Sequence, residues 1–267
     1  MKGIYLRSTV ARMKPPPWVV DDLNSATGRG VRIGVIDSGW DRTQLDSRVI
    51  GGAGFVDSED ELRPLESAID DDRIGHGTAC TDLILKVAPG VEICPLRVFG
   101  RRLESSVSTI AEAVRWAVHR GVRVVNMSLG TMLPEALDPL YLACEFAHRH
   151  GIVLVAAKHN AKGRSFPAVF DNVIGVHAGD FESPFDYIYR GGEDAECTAK
   201  GVKQEVLWLN GCRVRMSGSS FAAPNICGIV ALFLERYPDA NLNEIRNLLG
   251  RYSLRKKTKG LPDQIVG

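Results

Sequence analysis

The stretch Val31–Ile36 reads VRIGVI and is followed directly by Asp37. Its nearly continuous apolar character is typical of a strand that is buried on both faces of a parallel sheet. Four further runs share this character, and they predict four more strands of the same sheet. These runs are Val91–Val98, Val122–Leu129, Ile152–Ala157 and Val173–Val176.

Segments with helical periodicity lie between and after these runs. The predicted helices are Ser108–Val118, Leu137–His150, Ser220–Arg236 and Asn241–Leu249. The last of them opens with Asn241 as an N-cap and has Glu244 three residues on. Strands that alternate with helices predict an α/β fold, with a three-layer, doubly wound, mostly parallel sheet and helices on both faces. Sites in such folds lie at the carboxyl ends of the strands.

The charges of the 267-residue chain are balanced, with 33 basic and 32 acidic residues and a net charge of +1. This balance favours neither a nucleic-acid partner nor a membrane partner. No linker-like stretch divides the interior, so we expect one domain over residues 31–250. We expect an N-terminal extension over residues 1–30 and a basic C-terminal tail over residues 251–267.

The cellular location is predicted from the N-terminus and the cysteines. The N-terminal region has no apolar run of the length found in secretory signals, and no segment approaches the length of a membrane span. The six cysteines show neither C-x-x-C spacing nor the density of a disulfide framework. Several lie in apolar runs, as reduced core cysteines do. Together these features favour the cytoplasm.

Three short segments carry residues that are suited to catalysis. Asp37 ends the first predicted strand, with Asp41 and Asp46 as alternatives in the following loop. His76 lies in the sequence GHGT, where glycines leave room for an imidazole. Ser220 enters the long predicted helix, whose N-terminus offers free N–H groups to a developing negative charge. Taken singly, each residue could equally be a turn residue, a packed histidine or a helix cap.

The combination of these segments is more specific than its parts. DSG at Asp37, GHGT at His76 and GSSFAAP at Ser220, in this order, resemble the three active-site motifs of the subtilisin-like serine proteases. The resemblance extends over residues 31–249 and includes the strand sequence VRVVNMSLG. The order differs from those of the trypsin-like enzymes and the α/β-hydrolases. The resemblance implies a serine endopeptidase with a peptidase domain over residues 31–250.

The resemblance also implies a role for each residue of the site. Ser220 would be the nucleophile, His76 the general base and acid, and Asp37 the group that orients the imidazole. Asn160 is the best match to the asparagine that binds the oxyanion in this family. His159 is the alternative for that role if the alignment slips by one residue.

The family binds an extended peptide as a strand between two edges of the enzyme. The matching segments here predict six substrate-binding residues: Leu103, Glu104, Ser105, Ser128, Leu129 and Gly130. The implied partner is therefore a peptide or protein substrate. If Glu104 and the acidic run Asp70–Asp72 face the cleft, they should favour Lys or Arg before the scissile bond.

The chain departs from the family at several places, of which three concern its type, its metal sites and the histidine helix. Asp37 lies too near the start of the sequence for the long prodomain of secreted members, so a compact intracellular type is expected. The usual calcium loop is missing, because residues 87–90 follow the histidine helix directly; we therefore predict no metal site and no cofactor. Asp82 stands where the family usually has glycine, a change that the sequence does not explain.

Three functions are compatible with these motifs. The leading hypothesis is selective proteolysis in the cytoplasm through an acyl-enzyme on Ser220, as in an enzyme that trims a precursor peptide. A peptide ligase or macrocyclase would pass the same acyl group to an amine. A non-catalytic homologue would only hold peptides, and the complete set of Asp, His, Ser and Asn argues against it.

Overall fold

A central sheet of nine strands organises the part of the chain that the structure, a computed structural model, describes. The described residues are 23, 25–55, 64–65, 71–159, 161 and 163–254, so most of the expected N-terminal extension and C-terminal tail lies outside them. The strands of the sheet are β1 (Arg32–Asp37), β2 (Ala53–Phe55), β3 (Pro64–Leu65), β4 (Glu92–Arg97), β5 (Val124–Met127), β6 (Val153–Ala157), β7 (Val173–Gly179), β8 (Tyr187–Tyr189) and β9 (Cys197–Lys200).

The strand order is β3-β2-β4-β1-β5-β6-β7-β9-β8. The two edge strands are antiparallel to their neighbours: β3 pairs with β2, and β8 pairs with β9. Every other pairing in the sheet is parallel. The chain adds β2 and β4 on one side of β1 before it crosses to β5 on the other side. The direction of winding therefore changes at β1, and α/β sheets place their sites at such switch points.

Five helices cover the two faces of this sheet. They are α1 (His76–Val87), α2 (Val107–His119), α3 (Leu137–Arg149), α4 (Ser219–Arg236) and α5 (Leu242–Tyr252). One core contains Ile84 of α1, Ile226 of α4 and Ile245 of α5. The other core contains Ile110 of α2 and Leu140 of α3. The predicted three-layer, doubly wound and mostly parallel α/β fold is thus confirmed.

Successive residues of the central strands alternate between the two cores. Val124 and Val153 pack in the core that contains α4, whereas Val125 and Leu154 pack in the opposite core. Both faces of each strand are covered by helices, so both sets of side chains must be apolar. This is the physical reason why the strands appear in the sequence as continuous apolar runs.

The predicted strands and helices are confirmed, with their ends shifted by a few residues. The capping box at the last helix is also confirmed: the Asn241 side chain accepts hydrogen bonds from two backbone N–H groups, and Glu244 accepts one from the Asn241 N–H. The strands that the sequence did not predict are short and lack apolar runs. They include a separate hairpin, β10 (Gln204–Leu207) and β11 (Arg213–Met216).

All six cysteines are unpaired, and five of them are buried, with Cys212 exposed. Burial in reduced form agrees with the expectation drawn from their apolar sequence surroundings. None of the described helices combines the length and the apolar character that are required to cross a membrane.

Candidate active site

Asp37 ends β1 at the switch point of the sheet, and its side chain is fully buried. Its two carboxylate oxygens lie 2.8 and 2.9 Å from Nδ1 of His76, and Oδ1 also accepts a hydrogen bond from the Ser38 N–H. The alternatives Asp41 and Asp46 have other partners. Asp41 accepts hydrogen bonds from its own turn and from a distant N–H, and Asp46 pairs with a neighbouring arginine.

The two glycines around His76 allow the close packing of its helix. Gly75 caps α1 with a φ of 96°, and a Cβ on it would lie 2.4 Å from the Trp208 ring. A Cβ on Gly77 would lie 2.4 Å from the carbonyl oxygen of Gly39. The Gly77 N–H donates to Ser38 Oγ at 2.8 Å, which joins the start of α1 to the loop after β1. The glycines of GHGT therefore reflect two close contacts, one between Gly75 and the Trp208 ring and one between Gly77 and the backbone of Gly39.

The electrostatics of His76 are governed by burial and by Asp37. Burial acts to lower the pKa of His76, but the adjacent Asp37 carboxylate raises it, and the resulting pKa lies well above the ordinary value. A carboxylate at Nδ1 also favours the tautomer that carries its proton on Nδ1. This tautomer leaves Nε2 free to accept a proton.

Ser220 is the second residue of α4, and its side chain is only partly buried. Its Oγ donates to the Ser128 carbonyl oxygen at 3.2 Å, and the described residues contain no hydrogen bond from Ser220 Oγ to His76. The preceding Ser219 is 1% exposed, and its Oγ accepts a hydrogen bond from the Ala178 N–H. Of the two serines, Ser220 is therefore the one that solvent and substrate can reach.

A short relay of polar groups holds the backbone of Ser220. Asn126 Nδ2 donates to Ser128 Oγ at 3.0 Å, and Ser128 Oγ donates to the Ser220 carbonyl oxygen at 2.8 Å. Phe221 packs against the other side of the site, with its ring centroid 5.3 Å from that of His76. The sequence did not predict that Asn126 and Phe221 belong to the site, because Ser220 and His76, which they support, lie far from them or from their partners along the chain.

Cys80 lies close enough to His76 to be considered as a second nucleophile. Its Sγ is 3.9 Å from His76 Nδ1 and 3.5 Å from the Ser220 carbonyl oxygen. However, burial raises the pKa of the Cys80 thiol, and the nearby Asp37 carboxylate raises it further. A thiol held in its protonated form is a weak nucleophile. The chemistry of the site therefore favours the serine.

The residues predicted to bind the oxyanion have different outcomes. Asn160 lies outside the described residues, so its role stays a prediction. His159 is exposed, its ring Nδ1 accepts a hydrogen bond from the Ala161 N–H, and its backbone N–H donates to Ser165 Oγ. The imidazole of His159 is thus engaged within its own loop.

The two predicted substrate segments lie in irregular backbone after β4 and β5. Leu103 and Glu104 are exposed, and Ser105 is half-buried. In the second segment Ser128 is 5% exposed, while Leu129 and Gly130 are half-buried. The assignment of these six residues to substrate binding stays a prediction.

Of the carboxylates considered for an acidic cleft, Asp72 is buried and does not face a cleft, and for Glu104 and Asp71 the hypothesis stays a prediction. Asp72 is 7% exposed, and it accepts hydrogen bonds from the N–H groups of Ile74 and Gly75, just before α1, and from the N–H and hydroxyl of Thr78 in its first turn. Asp71 pairs with Arg73 and Arg97. Neighbouring N–H groups thus satisfy the charge of Asp72, whereas the Asp71 side chain is 40% exposed beside its arginines, and Asp70 lies outside the described residues.

A carboxylate bound to an imidazole, beside a serine at a helix N-terminus, is characteristic of the serine hydrolases. The sequence model of the subtilase family matches residues 28–267 of this chain. The chain therefore belongs to the subtilase family, and it is a serine endopeptidase that acts on peptides or proteins.

Individual relatives agree with this identification. The chain is 29% identical over 269 residues to the thermostable alkaline protease of Halalkalibacterium halodurans, with 94% of this chain and 72% of that protein covered. It is 31% identical over 237 residues to subtilisin DY of Bacillus licheniformis, with 83% of each covered. The crystal structure of a cold adapted subtilisin-like serine proteinase is similar with a TM-score of 0.71 and 26% identity, covering 85% of this chain and 83% of that one.

Proposed function

We propose that Asp37, His76 and Ser220 form the catalytic triad of this endopeptidase. The observation that carries the proposal is the 2.8 Å contact between His76 Nδ1 and the buried Asp37 carboxylate. This pair of side chains lies beside the N-terminus of α4, which bears the partly exposed Ser220. A merely structural histidine would have no need of a buried carboxylate partner at the carboxyl edge of the sheet.

The proposed reaction begins with activation of Ser220. Asp37 holds the proton of His76 on Nδ1, so that Nε2 accepts the proton of the Ser220 hydroxyl. Because this hydroxyl now donates to the Ser128 carbonyl, it must first give up that hydrogen bond and donate to His76 instead. The serine oxygen then attacks the carbonyl carbon of the scissile peptide bond.

The second half of the reaction releases the products. Negative charge develops on the substrate carbonyl oxygen, where the Ser220 N–H and the Asn160 side chain are the proposed hydrogen-bond donors. The C–N bond breaks as His76 passes its proton to the leaving amine, which leaves an acyl ester on Ser220. Water, deprotonated by His76, hydrolyses the ester and restores the serine.

The proposed substrate is an extended peptide that lies between residues 103–105 and residues 128–130. The proposed biological role is selective processing of peptides in the cytoplasm. Supporting this location are the six cysteines, which are unpaired and mostly buried. Peptide ligation uses the same acyl-enzyme, so only the products distinguish it from hydrolysis.

Covalent labelling followed by product analysis tests this proposal. The wild-type protein is incubated with a fluorophosphonate probe, and the labelled peptide is identified by mass spectrometry. Label on Ser220 is the expected result, and label on another residue would contradict the triad. A peptide library is then incubated with the enzyme: hydrolysed products support a protease, cyclised products a ligase, and unchanged peptides a binding protein.

A further inference from the structure

Asp82 is a buried carboxylate that the proposed reaction does not use. It lies on α1, six residues after His76, and its side chain is 11% exposed. Its Oδ2 accepts a hydrogen bond from the Leu207 N–H at 2.8 Å and lies 2.7 Å from Lys86 Nζ and 3.1 Å from Arg213 Nη1. A glycine, which the family usually has at this position, could make none of these contacts.

Two of these three contacts join α1 to the hairpin of β10 and β11. Leu207 ends β10 and Arg213 begins β11, so Asp82 holds the hairpin at the point where its strands separate into the turn. Lys86 strengthens the junction, since its Nζ also donates to the Glu205 carbonyl oxygen of β10 at 2.7 Å. The carboxylate therefore acts as a tether between two elements that are distant in sequence.

The tethered hairpin touches both sides of the proposed triad. The Trp208 ring covers Gly75, the residue before His76, and the Asn210 N–H donates to Asp41 in the loop after Asp37. At its other end β11 leads through two residues into α4 and Ser220. The position of the hairpin thus affects the helix of the general base and the segment of the nucleophile together.

A small hydrophobic cluster fills the space enclosed by the tether. Ala79 and Leu83 of α1 pack there with Val206 of β10 and with Phe221, the residue that follows Ser220. Phe221 is also the residue whose ring contacts His76. A displacement of the hairpin would reach His76 through Phe221, because closely packed side chains transmit strain.

We propose that Asp82 is a positioning residue, which sets the placement of His76 relative to Ser220 by tethering the hairpin to α1. The inference rests on the proposed triad. In the reaction which that triad performs, the proton of Ser220 must reach His76, whereas in the structure the Ser220 hydroxyl donates to Ser128. A displacement of about 1 Å can reduce such a reaction by about 100-fold.

The test compares D82A, D82N and wild type by their inactivation with a fluorophosphonate over a range of probe concentrations. We expect D82A to lower the maximal inactivation rate by about 10- to 100-fold and to change the half-saturating concentration by less than about twofold. D82N should recover most of the rate, because its amide oxygen can still accept a hydrogen bond from the Leu207 N–H.

The matched control is E196A. Glu196 is also 11% exposed and pairs with an arginine, Arg246, but it lies at the amino end of β9, away from the carboxyl edge of the sheet. E196A should lose stability in urea unfolding as D82A does, and should keep an inactivation rate within about twofold of wild type. Equal rate losses in E196A and D82A would show a general effect of stability and would overturn the proposal.

The remaining outcomes are also decisive. A folded D82A that reacts within about twofold of wild type overturns the proposal. If D82A does not fold, R213M is tested in its place. An inactivation rate of R213M within about twofold of wild type would likewise overturn the proposal. Failure of the triad would appear separately, as wild-type protein without label on Ser220.

Discussion

Replacement of Gly77 by alanine should slow catalysis strongly, because the start of α1 lies against another backbone. The added Cβ would lie 2.4 Å from the Gly39 carbonyl oxygen and 2.9 Å from the Gly39 nitrogen, whereas ordinary contacts begin at 3.4 Å. Since backbone atoms cannot turn away as a side chain can, α1 must move by about 1 Å. His76 is the neighbouring residue, so we expect the rate to fall by about 100-fold.

The assay is the second-order rate of fluorophosphonate inactivation at neutral pH, with circular dichroism to confirm folding. Gly100→Ala is the matched control, because a Cβ at Gly100 would meet nothing within 4 Å. This control should react within about twofold of wild type. A folded Gly77→Ala protein that also reacts within about twofold of wild type would refute the argument that backbone contact positions His76.

Three further predictions follow from the site. Ser220→Ala should abolish covalent labelling while the protein still folds, and Ser219→Ala should retain it; label that vanishes only in the second variant would reverse the assignment of the nucleophile. The inactivation rate should rise with pH through a pKa above 6.5, because the base is the neutral form of His76 and Asp37 raises its pKa. In Asp37→Asn the rise should occur at lower pH, since burial then acts without the carboxylate, and an unchanged pH profile would contradict this cause. A chelator should change the melting temperature by less than about 3 °C, because no calcium loop is expected; a fall of about 10 °C would indicate a metal site.

Much of this protein could be predicted from local patterns in its sequence. The apolar runs identified the central strands because both faces of those strands are covered, and Asn241 with Glu244 identified the capping box because both partners lie within one helical turn. The motifs at Asp37, His76 and Ser220 were recognised by their resemblance to those of the subtilisin-like proteases. The structure adds a physical reason for one flanking glycine, because a Cβ on Gly77 would lie 2.4 Å from the Gly39 carbonyl oxygen.

The partners of individual carboxylates could not be predicted in the same way. Asp72 was considered for a cleft or for solvent, and only the tertiary structure shows that it is buried and accepts hydrogen bonds from N–H groups at the start of α1. Asp82 had no explanation in the sequence, because its partner Leu207 lies 125 residues further along the chain. The difference has a physical reason: local periodicity reflects which faces of an element are covered, whereas a buried charge is satisfied by whichever donors the fold brings within about 3 Å.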